Sequence, residues 1–410
     1  QGHPMLLTTS RLGFQYHPDD RHYAPADLAA WLPVLRSFGA GWLVLRASAA
    51  RSVPEEFLRG LLDEGVEPIV HLPAQVGALS PTDVEPLLRA YAAWGVRHVV
   101  FFDKPNLRSS WESSEWSRVG IVERFIDRAL PFWNLQADLG MVPMVSPLDP
   151  GGDYWDTAFL EGILRGLARR GQESLLDRLA LAAYAWTFGR ALDWGAGGPQ
   201  AWPESRPYHT PDGSQDQRGL RLPEWYSAIG QASIGKAMPI YVVGGGSLPA
   251  RTANDDGSSF EQNAGVARWI TGPDAPENLQ AFAFFLLTAS PTSPEAYAAW
   301  YSAPDRPNRD VDMVRGALLA AAKTQRPKSL AHYILLPPGT SDPVLWALAG
   351  QVAVRTPGAV GCSTAEARLA ERVTILGSPE SMDEQTAAQL ERVGCRVEHL
   401  DPNTIAAARA

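Results

Sequence analysis

Eight short β-rich runs, separated by stretches with helical periodicity, occupy most of this 410-residue sequence. They are Leu12–His17, Trp42–Ala47, Glu67–Leu72, Arg97–Asp103, Gly140–Ser146, Leu179–Thr187, Met238–Gly244 and Ala281–Leu287. Several of them hold unbroken apolar stretches, Val99–Phe102 and Ile240–Val243 among them, as strands buried on both faces must. The segments between are amphipathic. Ala26–Phe38 sets Leu28, Trp31, Leu32 and Leu35 at helical spacing. Regular alternation of strand and helix predicts parallel βα units. Eight units over about 310 residues predict one closed (β/α)8 TIM barrel, an α/β fold. A doubly wound open sheet is the alternative, but it rarely runs to eight consecutive units without antiparallel additions.

The pattern restarts on a smaller scale near the C-terminus. His332–Leu336, Arg372–Leu376 and Arg396–Leu400 read as strands, Asp383–Val393 as a helix, and Gly394 as its C-cap. The expected organisation is a barrel over 5–328 and a small C-terminal α/β domain over 329–410. Residues 1–4, Gln1-Gly2-His3-Pro4, read as an expression scar left by a protease, with any native leader cut away.

Composition removes several function classes. A net charge of -9 argues against a general nucleic-acid binder, which needs a basic footprint. The longest strongly apolar run, Ala281 to Ala289 with Thr288 near its edge, is far short of the ~20 residues of a membrane span. Cys362 and Cys395 both lie late in the chain, so no disulfide framework holds the bulk of it. Two unrelated thiols are expected there, with pairing as the alternative. Fourteen Trp supply flat apolar faces of the kind that stack on sugars. Only four Lys occur (Lys104, Lys236, Lys323 and Lys328), which makes the position of each informative.

A barrel of this kind carries its chemistry at the carboxyl ends of its strands. The first run ends in Tyr16-His17, the second in Arg46 and the third in His71. The fourth runs into Asp103-Lys104-Pro105-Asn106-Leu107. The fifth leads to Pro150-Gly151-Gly152-Asp153-Tyr154-Trp155. The sixth ends in Tyr184-Ala185-Trp186, before a loop holding Trp194, and the seventh in Gly244-Gly245-Gly246. Trp300 lies beyond the eighth. This order over residues 10–310 resembles the clan A glycoside hydrolases, nearest to the family of β-xylosidases and α-iduronidases. The resemblance implies a sugar-binding cleft and places the family's two catalytic Glu at Lys104 and at Gly244. Retaining hydrolysis needs two carboxyl groups about 5–5.5 Å apart, one attacking and one moving a proton. Lysine is a poor acid at a reference pKa of ~10.4, and glycine is no nucleophile.

The expectation is therefore a barrel that binds an oligo- or polysaccharide without the usual retaining activity. The only strand-tip carboxylate, Asp103, is the one catalytic candidate. Tyr16, His17, Arg46, His71, Lys104, Asn106, Asp153, Trp155, Tyr184, Trp186, Trp194 and Trp300 are the binding candidates. No cofactor is expected. No metal is expected either, because His17, His71 and His98 do not fall at metal-ligand spacing. A glycine triplet without a following Lys and Ser/Thr is no phosphate loop. Two other readings stay open: an active glycosidase with relocated carboxylates, Asp103 or a loop acid such as Asp153, and a non-catalytic interaction scaffold. A secreted or cell-surface location is expected.

Overall fold

The structure, a computed structural model, describes residues 10–249, 260–308, 311–324, 330–377, 386, 387, 390 and 395–400. Residues 1–4, Lys328, Gly394 and most of the expected helix Asp383–Val393 lie outside the described residues. The chain divides into two compact units, Gln1–Ala322 and Lys323–Ala410.

The first unit contains the eight strands. They are β1 (Leu12–Gln15), β2 (Trp42–Arg46), β3 (Glu67–Leu72), β4 (His98–Phe101), β5 (Met144–Val145), β6 (Ala180–Trp186), β7 (Ile240–Gly246) and β8 (Leu279–Phe284). All paired neighbours are parallel, in the order β4-β3-β2-β1-β8-β7-β6-β5. The last seam is drawn together by a parallel bridge between His98 and Val142, where the Val142 N–H donates to the Arg97 carbonyl at 2.9 Å. The result is a nearly closed TIM barrel. A short antiparallel pair, β9 (Tyr301–Ala303) and β10 (Arg306–Pro307), follows β8.

Side-chain parity along the strands builds two apolar layers. The lumen holds Trp42, Val44, Ile69, Val100, Met144, Tyr184, Tyr241 and Val243, with Ala180, Ala182, Ala281 and Ala283 giving the large rings room. Its floor is aromatic: Trp42, His98 and Tyr241 pack with ring centroids 5.0–5.4 Å apart. The outer faces of the strands pack on the helices, and Phe14, Leu43, Val70 and Phe282 belong to that larger core. The helix Pro25–Phe38 starts on a proline, and its Asp27 carboxylate accepts the Ala24 N–H at 2.9 Å, covering a donor the helix leaves open. It buries Trp31, Val34, Leu35 and Phe38 against the barrel.

The second unit contains a four-stranded parallel sheet. Its strands are β11 (Leu330–Leu335), β12 (Ala359–Gly361), β13 (Ala370–Leu376) and β14 (Arg396–Leu400), in the order β12-β11-β13-β14. The helix Pro343–Arg355 links the first two strands. Cys362 and Cys395 are both free thiols. Among the described residues, no helix is long and apolar enough to cross a membrane.

Candidate active site

The turn after β4 is the most tightly defined part of the barrel mouth. Phe102 and Lys104 both adopt left-handed backbone, with φ of 62° and 48°. That region is unfavourable for residues with a Cβ and persists only where surrounding contacts over-determine it. Here they do. His71, on β3, donates its Nε2–H to the Phe102 carbonyl at 2.8 Å. Ser110 Oγ donates to the Asp103 carbonyl at 2.8 Å, and the Lys104 N–H to the Pro147 carbonyl at 2.9 Å. Asp103 is thereby held toward β6, where its Oδ1 accepts the Tyr184 hydroxyl at 2.8 Å. Lys104 Nζ meets Asp149 Oδ1 at 2.9 Å and lies 5.1 Å from the centre of the Tyr184 ring.

The protonation states follow from burial and neighbouring charge. Burial pushes the Tyr184 phenol well above its ordinary range, and the Asp103 charge adds to this. The phenol keeps its proton and donates it to the carboxylate. Burial also holds the His71 imidazole below its usual value, with Asp103 opposing and Arg46 assisting, so the ring is neutral.

The β7 tip has no side chain to offer, and packing explains why. A Cβ on Gly244 would lie 3.1 Å from a Tyr184 ring carbon; one on Gly245 would lie 2.6 Å from the Ala185 carbonyl oxygen. Gly246 has a φ of 99°. The three glycines let the Tyr184 ring and the β6 backbone lie directly on β7. Trp186 continues the aromatic surface, near-parallel to Tyr184 at 5.9 Å and edge-on to Phe285 at 5.5 Å.

On the β1–β3 side the mouth opens into a cleft of about 570 Å³, lined by residues that include Pro18, Asp19, Arg46, Ser48, Leu72 and Pro73. Among the described residues, the Arg46 guanidinium has no ion-pair partner. Beside this cleft, His17, Asp19 and His22 each present a ligand-type atom within 4.8 Å of the others. His17 is thus grouped with Asp19 and His22, and not with His71 or His98. Arg21 N–H donates to Asp19 Oδ1 at 3.0 Å, a turn that carries His22 back over His17.

The structure thus brings Arg46, His71, Asp103, Lys104, Tyr184 and Trp186 to the mouth, with His17 at its edge. It places the other candidates elsewhere. Tyr16 is buried on the outer face of the sheet among Tyr23, Trp31 and Phe57. Trp300 is fully buried against Phe14, Phe38 and Phe284. Asn106 is fully buried as a staple: its amide donates to the Asp149 and Tyr154 carbonyls, and its Oδ1 accepts the Asp149 N–H. Asp153 accepts the Arg108 N–H at 2.7 Å. Trp155 is buried beneath Tyr208 and the Arg218 guanidinium. Trp194 is stacked under Arg190 at 4.3 Å and donates toward Asp216. Asp216 and the Lys104 partner Asp149 carry site architecture that no local motif announces.

No family model matches the sequence, and no curated protein is similar to it. Solved structures resemble the fold. A family 39 glycoside hydrolase from the gut symbiont Bacteroides cellulosilyticus WH2 aligns with a TM-score of 0.50 at 11% identity, over 77% of this chain and 65% of that one. A monomeric β-xylosidase from Caulobacter crescentus CB15 aligns at 0.48 and 13% identity, over 75% of this chain and 67% of the other. This chain therefore spans about two thirds of the length of these structures. At such identity the likeness establishes the fold alone, a (β/α)8 barrel.

Proposed function

We propose that the barrel binds an oligo- or polysaccharide at its C-terminal mouth and does not cleave it by the two-carboxylate retaining route. The observation that carries this reading is the pair of strand tips. At β4, the Lys104 ammonium is committed to Asp149; at β7, Gly244–Gly246 present no side chain. Retention needs a carboxyl group from each side of the bond, about 5–5.5 Å apart. Trp186, half-exposed at the mouth, offers a flat apolar face for stacking. Arg46 offers an uncommitted cation to sugar hydroxyl or acidic groups. A protein with such a ligand would work outside the cell or on its surface.

Calorimetric titration of the full chain with a panel of glycans, paired with a reducing-end assay on the same glycans, tests both halves. Binding to at least one glycan with no release of reducing ends is the expected result. No heat from any glycan at millimolar concentration overturns the binding reading. Release of reducing ends overturns the non-hydrolytic one.

One observation favours a second reading. Asp103 and Asp149 both attach to the same Tyr184–Lys104 pair. Two acids set about 6.5–9.5 Å apart across a sugar would hydrolyse with inversion. Its mark is product of inverted anomeric configuration in a proton NMR time course, abolished in Asp103→Asn.

A further inference from the structure

We propose that His17, Asp19 and His22 form a binding site for one divalent first-row transition metal ion at the edge of the mouth cleft. One ligand-type atom from each residue lies within 4.8 Å of the other two. Two imidazoles and one carboxylate are the donor set of open metal sites, which keep a further position for water or ligand.

Three observations distinguish this group from a chance meeting of side chains. His17 is buried, and its Nδ1 has no hydrogen-bond partner among the described residues. A buried ring nitrogen left unpaired calls for an explanation such as a bound ion. His17 and His22 stack at 3.7 Å with planes only 11° apart, which holds both rings at the same edge of the cleft. Finally, Pro18, Asp19 and Asp20 line the cleft, so an ion here has an open side toward solvent. Asp20 is otherwise engaged, accepting from Ser48 Oγ at 3.0 Å, and is not counted as a ligand.

The geometry also states what binding must change. Metal–nitrogen and metal–oxygen bonds of about 2.0–2.2 Å set neighbouring ligands roughly 3.3–3.5 Å apart. The His22 Nδ1–Asp19 Oδ1 contact of 2.8 Å therefore has to open by about half an ångström. The His22 ring has to turn out of its stack so that its lone pair meets the ion in plane. Both residues are about one third exposed, so this movement disturbs no core. For His22 Nδ1 to bind the ion, its proton moves to Nε2 of the same ring, the other neutral tautomer.

The site does not depend on the carbohydrate reading, because metal is measured directly. Full-length chain stripped with a chelator is titrated with zinc chloride by calorimetry, and with cobalt(II) followed by visible absorption. One equivalent of zinc per chain is expected, with cobalt bands that report imidazole ligation. His22→Gln and Asp19→Asn, both at half-exposed positions, are expected to weaken zinc binding at least about tenfold and to abolish the cobalt bands. His209→Gln, at an exposed histidine, is expected to change neither. Equal zinc affinity in wild type and His22→Gln, or no zinc uptake by the wild-type chain at 1 mM metal, on the order of the weakest sites proteins use, overturns the proposal.

Discussion

The Tyr184 hydroxyl donates to Asp103 Oδ1 at 2.8 Å, tying the end of β6 to the turn after β4 across the barrel mouth. Tyr184 is buried and Asp103 half-buried. A hydrogen bond to a charged group contributes about 1.5–3 kcal/mol. Tyr184→Phe is expected to lose that amount in urea unfolding and to free Asp103. Asp103→Asn keeps an accepting oxygen and is expected to lose less, about 1 kcal/mol. Equal losses in the two variants would show that the pair does not act as described.

Arg46 and Asn106 separate binding from scaffolding. Arg46 faces the cleft with no ion-pair partner among the described residues. Arg46→Gln is expected to shift stability by no more than about 0.5 kcal/mol. In calorimetry it is expected to weaken glycan binding about tenfold, the equivalent of roughly 1.4 kcal/mol. Asn106 is fully buried and makes three hydrogen bonds to the loop after β5. Asn106→Ala is expected to cost about 2–4 kcal/mol in unfolding, because three part-buried backbone groups lose their partner and the buried site is left empty. A destabilised Arg46→Gln or a neutral Asn106→Ala would reverse these assignments.

The barrel was legible because each of its signals is local. A strand buried on both faces is an apolar run, and a helix over it shows a 3.6-residue period. Leu12, Phe14 and Tyr16 alternate with Gln15 and His17, so parity alone assigns Tyr16 to the outer face. Trp300 carries no such signal; a large aromatic suits a core as well as a cleft. The three-residue β12 is too short to announce itself. The Lys104–Asp149 pair joins the turn after β4 to the loop after β5, and only the meeting of these two strands at the barrel seam brings them together. His22 meets His17 through a single Asx turn, whose geometry depends on which oxygen of Asp19 the backbone finds.

Asp216 organises the loop that follows β6. Its carboxylate is buried and accepts from Arg190 at 3.0 Å, Trp194 at 3.3 Å, Thr210 at 2.8 Å and the Arg218 N–H at 3.0 Å, with the Arg218 guanidinium closing the cage. Burial alone would raise its pKa; the hydrogen bonds from Arg218 and Thr210 reverse this and hold it well below the usual carboxylate range. Breaking such a buried charge cluster costs about 3–5 kcal/mol when the partners stay dry. Both arginines are about one third exposed and can rehydrate, so Asp216→Asn is expected at about 2–3 kcal/mol. Limited proteolysis of residues 187–221 should accelerate in step. Cleavage there at the wild-type rate would mean the cage does not hold the loop.

His98 makes the barrel floor sensitive to acid. Its ring lies between Trp42 and Tyr241, and its Nδ1 has no hydrogen-bond partner among the described residues. Burial, then the neighbouring Arg97 charge, lowers its pKa from 6.5 to about 3. Above pH 6.5 the ring is neutral in both folded and unfolded chains, and the floor has its full stability. Below that value the unfolded chain takes up a proton that the folded chain refuses, so stability falls as pH falls. Each unit between the two pKa values removes about 1.4 kcal/mol, so roughly 2 kcal/mol is lost by pH 5. His71 shifts in the same direction, which makes the wild-type profile alone uninformative. His98→Leu removes one titrating group and retains an apolar side chain of similar reach. The unfolding free energy of wild type minus that of His98→Leu is expected to drop by about 2 kcal/mol between pH 7 and pH 5. A difference that stays flat across this range would place a proton on His98 in the folded chain and open the floor to water.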